Sequence, residues 1–265
     1  MATHSSALPH IANSAPELVA ARTTCLNCGA PLGGSYCSAC GQQAIDLTAP
    51  TWHVVRQALE DATDVDGRML YTARALVSPG RLTTEFLRGR RMPCLGPLKL
   101  FLYAGTVLTS TWIFTRGVDA HYYGFRASGS AGTYIDTVIR GFLAASIAIS
   151  LCGWVLGLGR RRLLDEAVFA LHLTAALALW VAGVILLGTA WKLVWGTAAA
   201  VPRQVPSLIR LVYLPAIVIA IGYVIGAVRT VYGGRWWIAA LRGLLITAVG
   251  AAAVLVVITY LTWKH

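Results

Sequence analysis

Long runs of apolar residues, separated by short polar stretches, make up most of the chain after Pro97. A membrane-spanning helix needs about twenty predominantly apolar residues. Five runs reach or nearly reach that length, at about 98–115, 141–159, 168–190, 211–228 and 243–262. The pattern predicts an all-α integral membrane protein with a five-helix transmembrane bundle over residues 97–265. Lys99 shortens the uncharged part of the first run to about the minimum length that can span a membrane.

Three shorter amphipathic segments precede the bundle, within residues 51–96. The first is predicted from Thr51, with Trp52 and Leu59 on one face, and the others over Met69–Val77 and from Arg81 to about Arg88. Their apolar faces are too short to form a core of their own, and Arg residues lie on their polar sides. We expect helices that lie in the membrane interface, the alternative being a small soluble helical domain.

The composition agrees with a membrane location. Of 265 residues, 57% are hydrophobic and 12% are charged, against roughly 25% charged in an average soluble domain. This balance excludes a disordered polyelectrolyte and disfavours a soluble enzyme. The net charge is +11, and the part after Pro97 has fourteen basic and four acidic residues. These basic residues stand between apolar runs, as in the loops of membrane proteins, so we expect no nucleic-acid partner.

The distribution of Lys and Arg predicts the orientation of the bundle. In a five-span arrangement, eleven basic residues near the span ends fall on one side and seven on the other. The side with more Lys and Arg is the cytoplasmic one in membrane proteins. We therefore expect a cytoplasmic N-terminus and a C-terminus outside.

Residues 25–43 contain two Cys-x-x-Cys-Gly motifs, after a leader over residues 1–24 without periodicity. Four thiolates at this spacing can surround one zinc ion, and glycine after the second cysteine permits the tight turn. The alternatives are paired disulfides, which a reducing cytoplasm disfavours, and a redox pair. Four protein ligands leave no open position, so we expect one structural zinc ion and no catalytic metal. The predicted ligands are Cys25, Cys28, Cys37 and Cys40.

A possible intramembrane polar site opens the third apolar run, with Asp165, Glu166 and His172. These residues could act as metal ligands or as a proton relay. The alternative favoured here is structural: the acids balance nearby arginines at a helix N-terminus, and His172 bonds a neighbouring helix. The sequence shows no Ser-His-Asp order, phosphate-binding glycine loop or paired catalytic carboxylates, so we predict no catalytic residues.

Several motifs together resemble the bacterial membrane proteins grouped as domain-of-unknown-function family 3667. They are Cys25-x-x-Cys28-Gly29, Tyr36-Cys37-x-x-Cys40-Gly41-Gln42, Ser78-Pro79-Gly80, Phe86-Leu87-x-Gly89-Arg90-Arg91 with Pro97, Asp165 to His172, and Val231-Tyr232-Gly233. The resemblance implies a zinc-ribbon protein of the bacterial inner membrane and brings no established activity. Asp165-Glu166 stands where the family leads us to expect a Glu-His pair, which weakens any metal role there.

The sequence favours a non-enzymatic adaptor or assembly factor. Its ribbon would recruit a cytoplasmic protein partner, or its basic segment would bind anionic lipid headgroups. The predicted headgroup contacts are Arg81, Arg88, Arg90 and Arg91. The alternatives are a transporter or channel for a neutral solute and a lipid-modifying membrane enzyme.

Overall fold

The computed structural model of the chain describes residues 23–43, 68–123, 131–157, 161–195 and 205–264. Within these residues there are seven α-helices and two isolated β-bridges, so the predicted all-α fold is confirmed. The helices are α1 (Met69–Val77), α2 (Arg81–Leu87), α3 (Pro97–Tyr123), α4 (Ala131–Leu156), α5 (Leu163–Trp195), α6 (Val205–Tyr232) and α7 (Trp236–Lys264). The amphipathic segment predicted from Thr51 and nearly all of the leader lie outside the described residues.

Four of these helices are long and apolar enough to cross a membrane. The candidate spans are Ile135–Leu156, Leu163–Trp191, Tyr213–Tyr232 and Trp236–Leu261. Large apolar side chains on them, such as Leu187, Val218 and Val256, remain exposed on the outside of the bundle. So much exposed apolar surface is unfavourable in water and favourable in hydrocarbon. The fold therefore fits a multi-pass membrane protein.

The predicted number of five spans is not confirmed, because the run at 98–115 is less apolar than the other four. Helix α3 includes this run and is 27 residues long, but it is not among the four candidate spans of the described residues. Lys99 and the hydroxyl residues that follow it lower its hydropathy; the latter are Thr106, Thr109, Ser110, Thr111 and Thr115. Some of the hydroxyls bond within the helix, as Thr109 Oγ1 does to the Gly105 carbonyl at 2.8 Å.

Side-chain contacts give the directions of the helices. Helix α3 runs parallel to α5, since Ala104 packs in one cluster with Ala175 and Thr115 Oγ1 lies 3.1 Å from Thr189 Oγ1. Helix α4 runs antiparallel to α5: Ser146 bonds Thr174 at 3.1 Å, and Gly153, further along α4, packs against Glu166 near the start of α5.

Helix α6 also runs antiparallel to α5. Trp180, in the second half of α5, donates from Nε1 to the Ala216 carbonyl in the first half of α6 at 3.3 Å, and Glu166, at the start of α5, bonds Tyr232 at the end of α6. Helix α7 folds back along α6, with Gly243 against Ile225. Helices α3, α5 and α7 therefore begin at one end of the bundle, where α4 and α6 end. We call this the ribbon end, because the cysteine motifs pack there.

Helices α1 and α2 form a hairpin that enters the ribbon end. Its tip, Ser78-Pro79-Gly80, packs on α6, and a Cβ on Gly80 would lie 2.8 Å from the Ala227 carbonyl oxygen. Gly80 has φ +73°, a left-handed conformation that glycine adopts at little cost. The sequence prediction of two helices separated by this turn is confirmed, and the hairpin contacts both α5 and α6.

Candidate functional site

The two cysteine motifs fold into turns with the same pattern of backbone bonds. In each turn the first cysteine donates its N–H to the carbonyl five residues later and accepts a bond from the glycine N–H four residues later. In the first turn Cys25 lies 2.8 Å from the Ala30 carbonyl and 2.9 Å from the Gly29 nitrogen. In the second turn both distances, from Cys37 to Gln42 and to Gly41, are 2.8 Å. Gly29 and Gly41 have φ values of +76° and +72°. These left-handed positions explain the glycine in both motifs.

The turns bring all four predicted ligands together. The Sγ atoms lie within 4.8 Å of one another, with Cys25 to Cys40 at 3.7 Å and Cys28 to Cys37 at 3.6 Å. Zn–S bonds of about 2.3 Å in a tetrahedron would place the sulfurs about 3.8 Å apart. The cluster can therefore hold a metal ion. Among the described residues, these four cysteines are the one group of three or more Cys, His, Asp or Glu side chains close enough to hold a metal ion.

The surroundings of the sulfurs set their protonation. The backbone N–H of Gln42 lowers the pKa of the Cys40 thiol to about 7. The N–H of Ala30 likewise lowers the pKa of Cys28, but burial and the neighbouring cysteine sulfurs outweigh it and raise that pKa to about 12. Amide hydrogen bonds of this kind also orient thiolates toward a metal.

Gln42 attaches the ribbon to the segment between α2 and α3. Its Nε2 donates to the Gly89 carbonyl at 2.8 Å, and its Oε1 accepts from the N–H groups of Arg91 at 3.2 Å and Met92 at 3.3 Å. The residue is 8% exposed. The side chain thus forms hydrogen bonds with three backbone groups of this segment.

The first cysteine turn touches the same segment through Leu26. Gly89 has φ +87°, and a Cβ there would overlap the Leu26 side chain. Both cysteine turns therefore contact one loop, from Gly89 to Met92, which we call the Gly89 loop. These contacts give a structural reason for Gln42 in the second cysteine motif and for Gly89 in the motif that begins at Phe86.

A histidine is buried behind this loop. His172 is 3% exposed, and its Nδ1 lies 3.1 Å from Thr83 Oγ1 on α2. Phe86 contacts the imidazole edge-to-face at 5.8 Å between ring centroids, and the Arg91 guanidinium lies 4.6 Å from the Phe86 ring centroid. His172 Nε2 has no hydrogen-bond partner among the described residues.

A small cavity lies between the hairpin tip, α5 and α6, and His172, Thr83 and Tyr223 are part of its lining. Its volume of about 10 Å³ is room for about one water molecule. Tyr223 also donates a hydrogen bond to the Leu76 carbonyl at 2.8 Å, which fixes α1 on α6.

Glu166 occupies a second buried polar position. The residue is 1% exposed, and its Oε2 accepts a hydrogen bond from the Tyr232 hydroxyl. Arg161 covers the Tyr232 ring at 4.9 Å and donates to the Val231 carbonyl at 2.7 Å. This arrangement joins the start of α5 to the end of α6.

The structure does not bring the predicted polar site together as one cluster. Glu166 contacts α4 and α6 through Gly153 and Tyr232, whereas His172 contacts α2. Asp165, Glu166 and His172 do not form a metal-binding group within the described residues. Whether any of them takes part in function stays a prediction.

The four arginines predicted to contact headgroups all lie at the ribbon end but differ in their surroundings. Arg88 and Arg90 are exposed. Arg81 is paired with Glu85 at 2.9 Å, and Arg91 is partly buried over Phe86.

The sequence did not predict that Thr83 would contact His172, or that Tyr223 would contact Leu76. The sequence pattern places Thr83 in an amphipathic segment and Tyr223 in an apolar run, and neither pattern identifies a partner. Both bonds join residues far apart in the chain, by 89 positions for Thr83 and His172 and by 147 for Tyr223 and Leu76. No feature of the local sequence singled out either residue, because both contacts depend on how the helices pack.

Comparison with known proteins supports the resemblance. Residues 66–109 match the model of the family described as "Protein of unknown function (DUF3667)". The resemblance to domain-of-unknown-function family 3667 is thereby confirmed in a segment that includes the hairpin, the Gly89 loop and the first half of α3. The cysteine motifs and the start of α5 lie outside the matched segment. No curated protein and no solved structure matches the chain.

Proposed function

We propose that the protein is an adaptor or assembly factor of the bacterial inner membrane that recruits a cytoplasmic protein partner through a zinc ribbon. The main support is the triple hydrogen bond of Gln42, which fixes the cysteine turns on the bundle. A ribbon held in this way presents a rigid surface, and a rigid surface binds with less loss of conformational entropy.

The metal in this proposal is one structural zinc ion. The ligands would be Cys25, Cys28, Cys37 and Cys40, whose sulfur separations suit tetrahedral Zn–S bonds. With four protein ligands the ion has no open position for a substrate. Its contribution is to fold the ribbon, as structural zinc does in small domains.

The proposed orientation places the ribbon end in the cytoplasm. Basic residues gather there, including Arg161 and Arg162 before α5 and Arg229, Arg235 and Arg242 around the start of α7. A reducing compartment also keeps the cysteines available for metal. In this orientation α3, which runs alongside α5 from the ribbon end, crosses the membrane together with the four candidate spans, and α7 ends with the C-terminus outside. A reporter active only outside the cytoplasm, fused after His265, should be active, and its inactivity would contradict this orientation.

The exposed arginines would rest on anionic headgroups. Arg88 and Arg90 are exposed, at the same end as exposed Trp236 and Trp237. Indole rings favour the headgroup level, where guanidinium groups can bind lipid phosphates. The Arg88→Ala/Arg90→Ala double variant should retain less phosphatidylglycerol than the wild type in native mass spectrometry. Equal retention would remove these residues from the proposal.

Site-specific photo-crosslinking tests recruitment. Tyr36 lies on the ribbon and is 62% exposed, whereas Tyr260 is exposed near the far end of α7. Benzoylphenylalanine at position 36 should crosslink a defined cytoplasmic protein in intact cells, and at position 260 it should not. The crosslink should disappear when Cys25 and Cys28 are both replaced by serine, and persist in Cys152→Ser. No crosslink at position 36, or one unaffected by loss of the cysteines, would overturn the adaptor proposal.

A further inference from the structure

A continuous series of contacts joins the cysteine cluster to the buried His172. The backbone of Gln42 is fixed by its hydrogen bond with Cys37, and its side chain bonds the loop from Gly89 to Met92. Arg91 in that loop covers Phe86, and Phe86 contacts His172 edge-to-face. Each step is a direct contact between buried or partly buried groups.

We propose that metal loading of the cysteine cluster controls the docking of α2 in the bundle, with Gln42 as the positioning residue, and so controls access to His172. This inference goes beyond the proposed adaptor function and rests on one part of it, the metal ion in the cysteine cluster. The metal draws four thiolates together and fixes the turn that ends at Gln42. Without it, the Gln42 side chain loses its fixed position, and the Gly89 loop loses three hydrogen bonds.

The hairpin is suited to respond because it is short and docks at few polar points. Helix α2 has seven residues and buries Leu82 and Thr83. An isolated helix of this length is unstable in water, so its order depends on docking. Local opening of such a unit needs much less free energy than global unfolding. When α2 withdraws, the bond of Thr83 to His172 is lost and the imidazole becomes reachable.

Hydrogen exchange of the full-length protein in detergent, read by mass spectrometry, tests the proposal. The metal-loaded wild type is compared with protein stripped by a chelator under reducing conditions, and with metal-loaded Gln42→Ala. We expect stripping and Gln42→Ala each to speed exchange in α2 about tenfold, which corresponds to losing one or two net hydrogen bonds. Exchange in α7 should change little, and Ser35→Ala, on an exposed ribbon residue, should behave as the wild type.

A second readout follows His172 itself. Diethyl pyrocarbonate modifies accessible imidazoles, and peptide mass spectrometry resolves this histidine from the other five. Modification of His172 should rise about tenfold in the same two samples, in proportion to the open population. The metal content of every sample is measured alongside.

Should Gln42→Ala lose its metal, Gly89→Ala serves instead, because its Cβ would press on Leu26 and disturb the same interface from the loop, while every residue of the ribbon keeps its identity. Unchanged α2 exchange and His172 reactivity after stripping would overturn the proposal. So would wild-type behaviour of a metal-loaded variant at Gln42 or Gly89. Crosslinking at Tyr36 reports on the adaptor function separately, so the two proposals can fail independently.

Discussion

The Tyr232 hydroxyl donates a hydrogen bond to Oε2 of Glu166, and the last residue of α6 is thereby attached to the first turn of α5. The other carboxylate oxygen, Oε1, is buried and has no partner among the described residues. A buried acid with so few partners depends strongly on the one it has.

Replacing Tyr232 with phenylalanine should destabilise the protein by about 1 to 3 kcal/mol, the cost of leaving a buried polar group without its partner. The measurement is thermal unfolding in detergent, followed by intrinsic fluorescence. Tyr260→Phe removes an exposed hydroxyl on α7 and should have almost no effect. Equal midpoints for the two variants would show that the bond to Glu166 contributes nothing.

Three glycine-to-alanine variants separate backbone strain from close packing. Gly80 has both a positive φ and no room for a Cβ, Gly29 has a positive φ in open space, and Gly33 has neither constraint. The left-handed conformation costs alanine about 1 kcal/mol. We expect the losses of thermal stability to rank Gly80→Ala first, Gly29→Ala second and Gly33→Ala last. A harmless Gly80→Ala would contradict the packing of the hairpin tip on α6.

Thiol counting tests the metal centre without reference to activity. The chain has six cysteines, and four of them form the cluster. Protein purified under reducing conditions should contain one metal ion per chain, and unfolding with a chelator should expose six reactive thiols. Unfolding the Cys25→Ser/Cys28→Ser variant should expose four thiols and release no metal, because two thiolates hold a metal weakly. A metal-free wild type would contradict the ribbon assignment.

Glu85 should make the hairpin sensitive to acid. Burial raises the pKa of its carboxyl, but hydrogen bonds from Arg81 and Tyr71 outweigh this and bring the pKa below its ordinary value of 4.5. A lowered folded-state pKa stabilises the protein above pH 4.5, and the benefit is lost as pH falls through that folded-state pKa. Glu85→Gln should therefore reduce stability at pH 7, by up to about 1 kcal/mol since the pair with Arg81 is partly exposed.

Thermal midpoints of the wild type and Glu85→Gln, taken at pH 7 and at about pH 3, check this expectation. The two proteins should differ at pH 7, and the difference should shrink in acid as the Glu85 carboxylate takes up a proton. Asp136→Asn removes an exposed partner of Arg140 and should change neither midpoint appreciably. A difference that persists unchanged in acid would show that the charge of Glu85 is not its cause.

Features set by local sequence could be predicted well. The spacing of Cys25, Cys28, Cys37 and Cys40 with the following glycines was sufficient to predict a four-thiolate cluster, since the bonds within each turn join residues only four or five positions apart. The turn at Ser78-Pro79-Gly80 could be predicted equally well, because proline fixes φ and glycine permits a positive φ, both of which are local properties of the backbone. The apolar runs gave the four candidate spans and a fifth over α3, which is not among them because hydroxyl groups lower the hydropathy of that long helix.

The contacts between elements were decided only by the tertiary structure. In hydrocarbon, helix faces that meet lipid and faces that meet protein are both apolar, so a spanning sequence does not reveal which side faces a neighbour. The bonds of Gln42 to the Gly89 loop, of Thr83 to His172 and of Tyr232 to Glu166 join residues 47, 89 and 66 positions apart. The sequence by itself determined the elements and the cluster of four cysteines, because short-range geometry fixes both. Which buried polar groups meet depended on helix packing, whose free energy comes from contacts that no local pattern encodes.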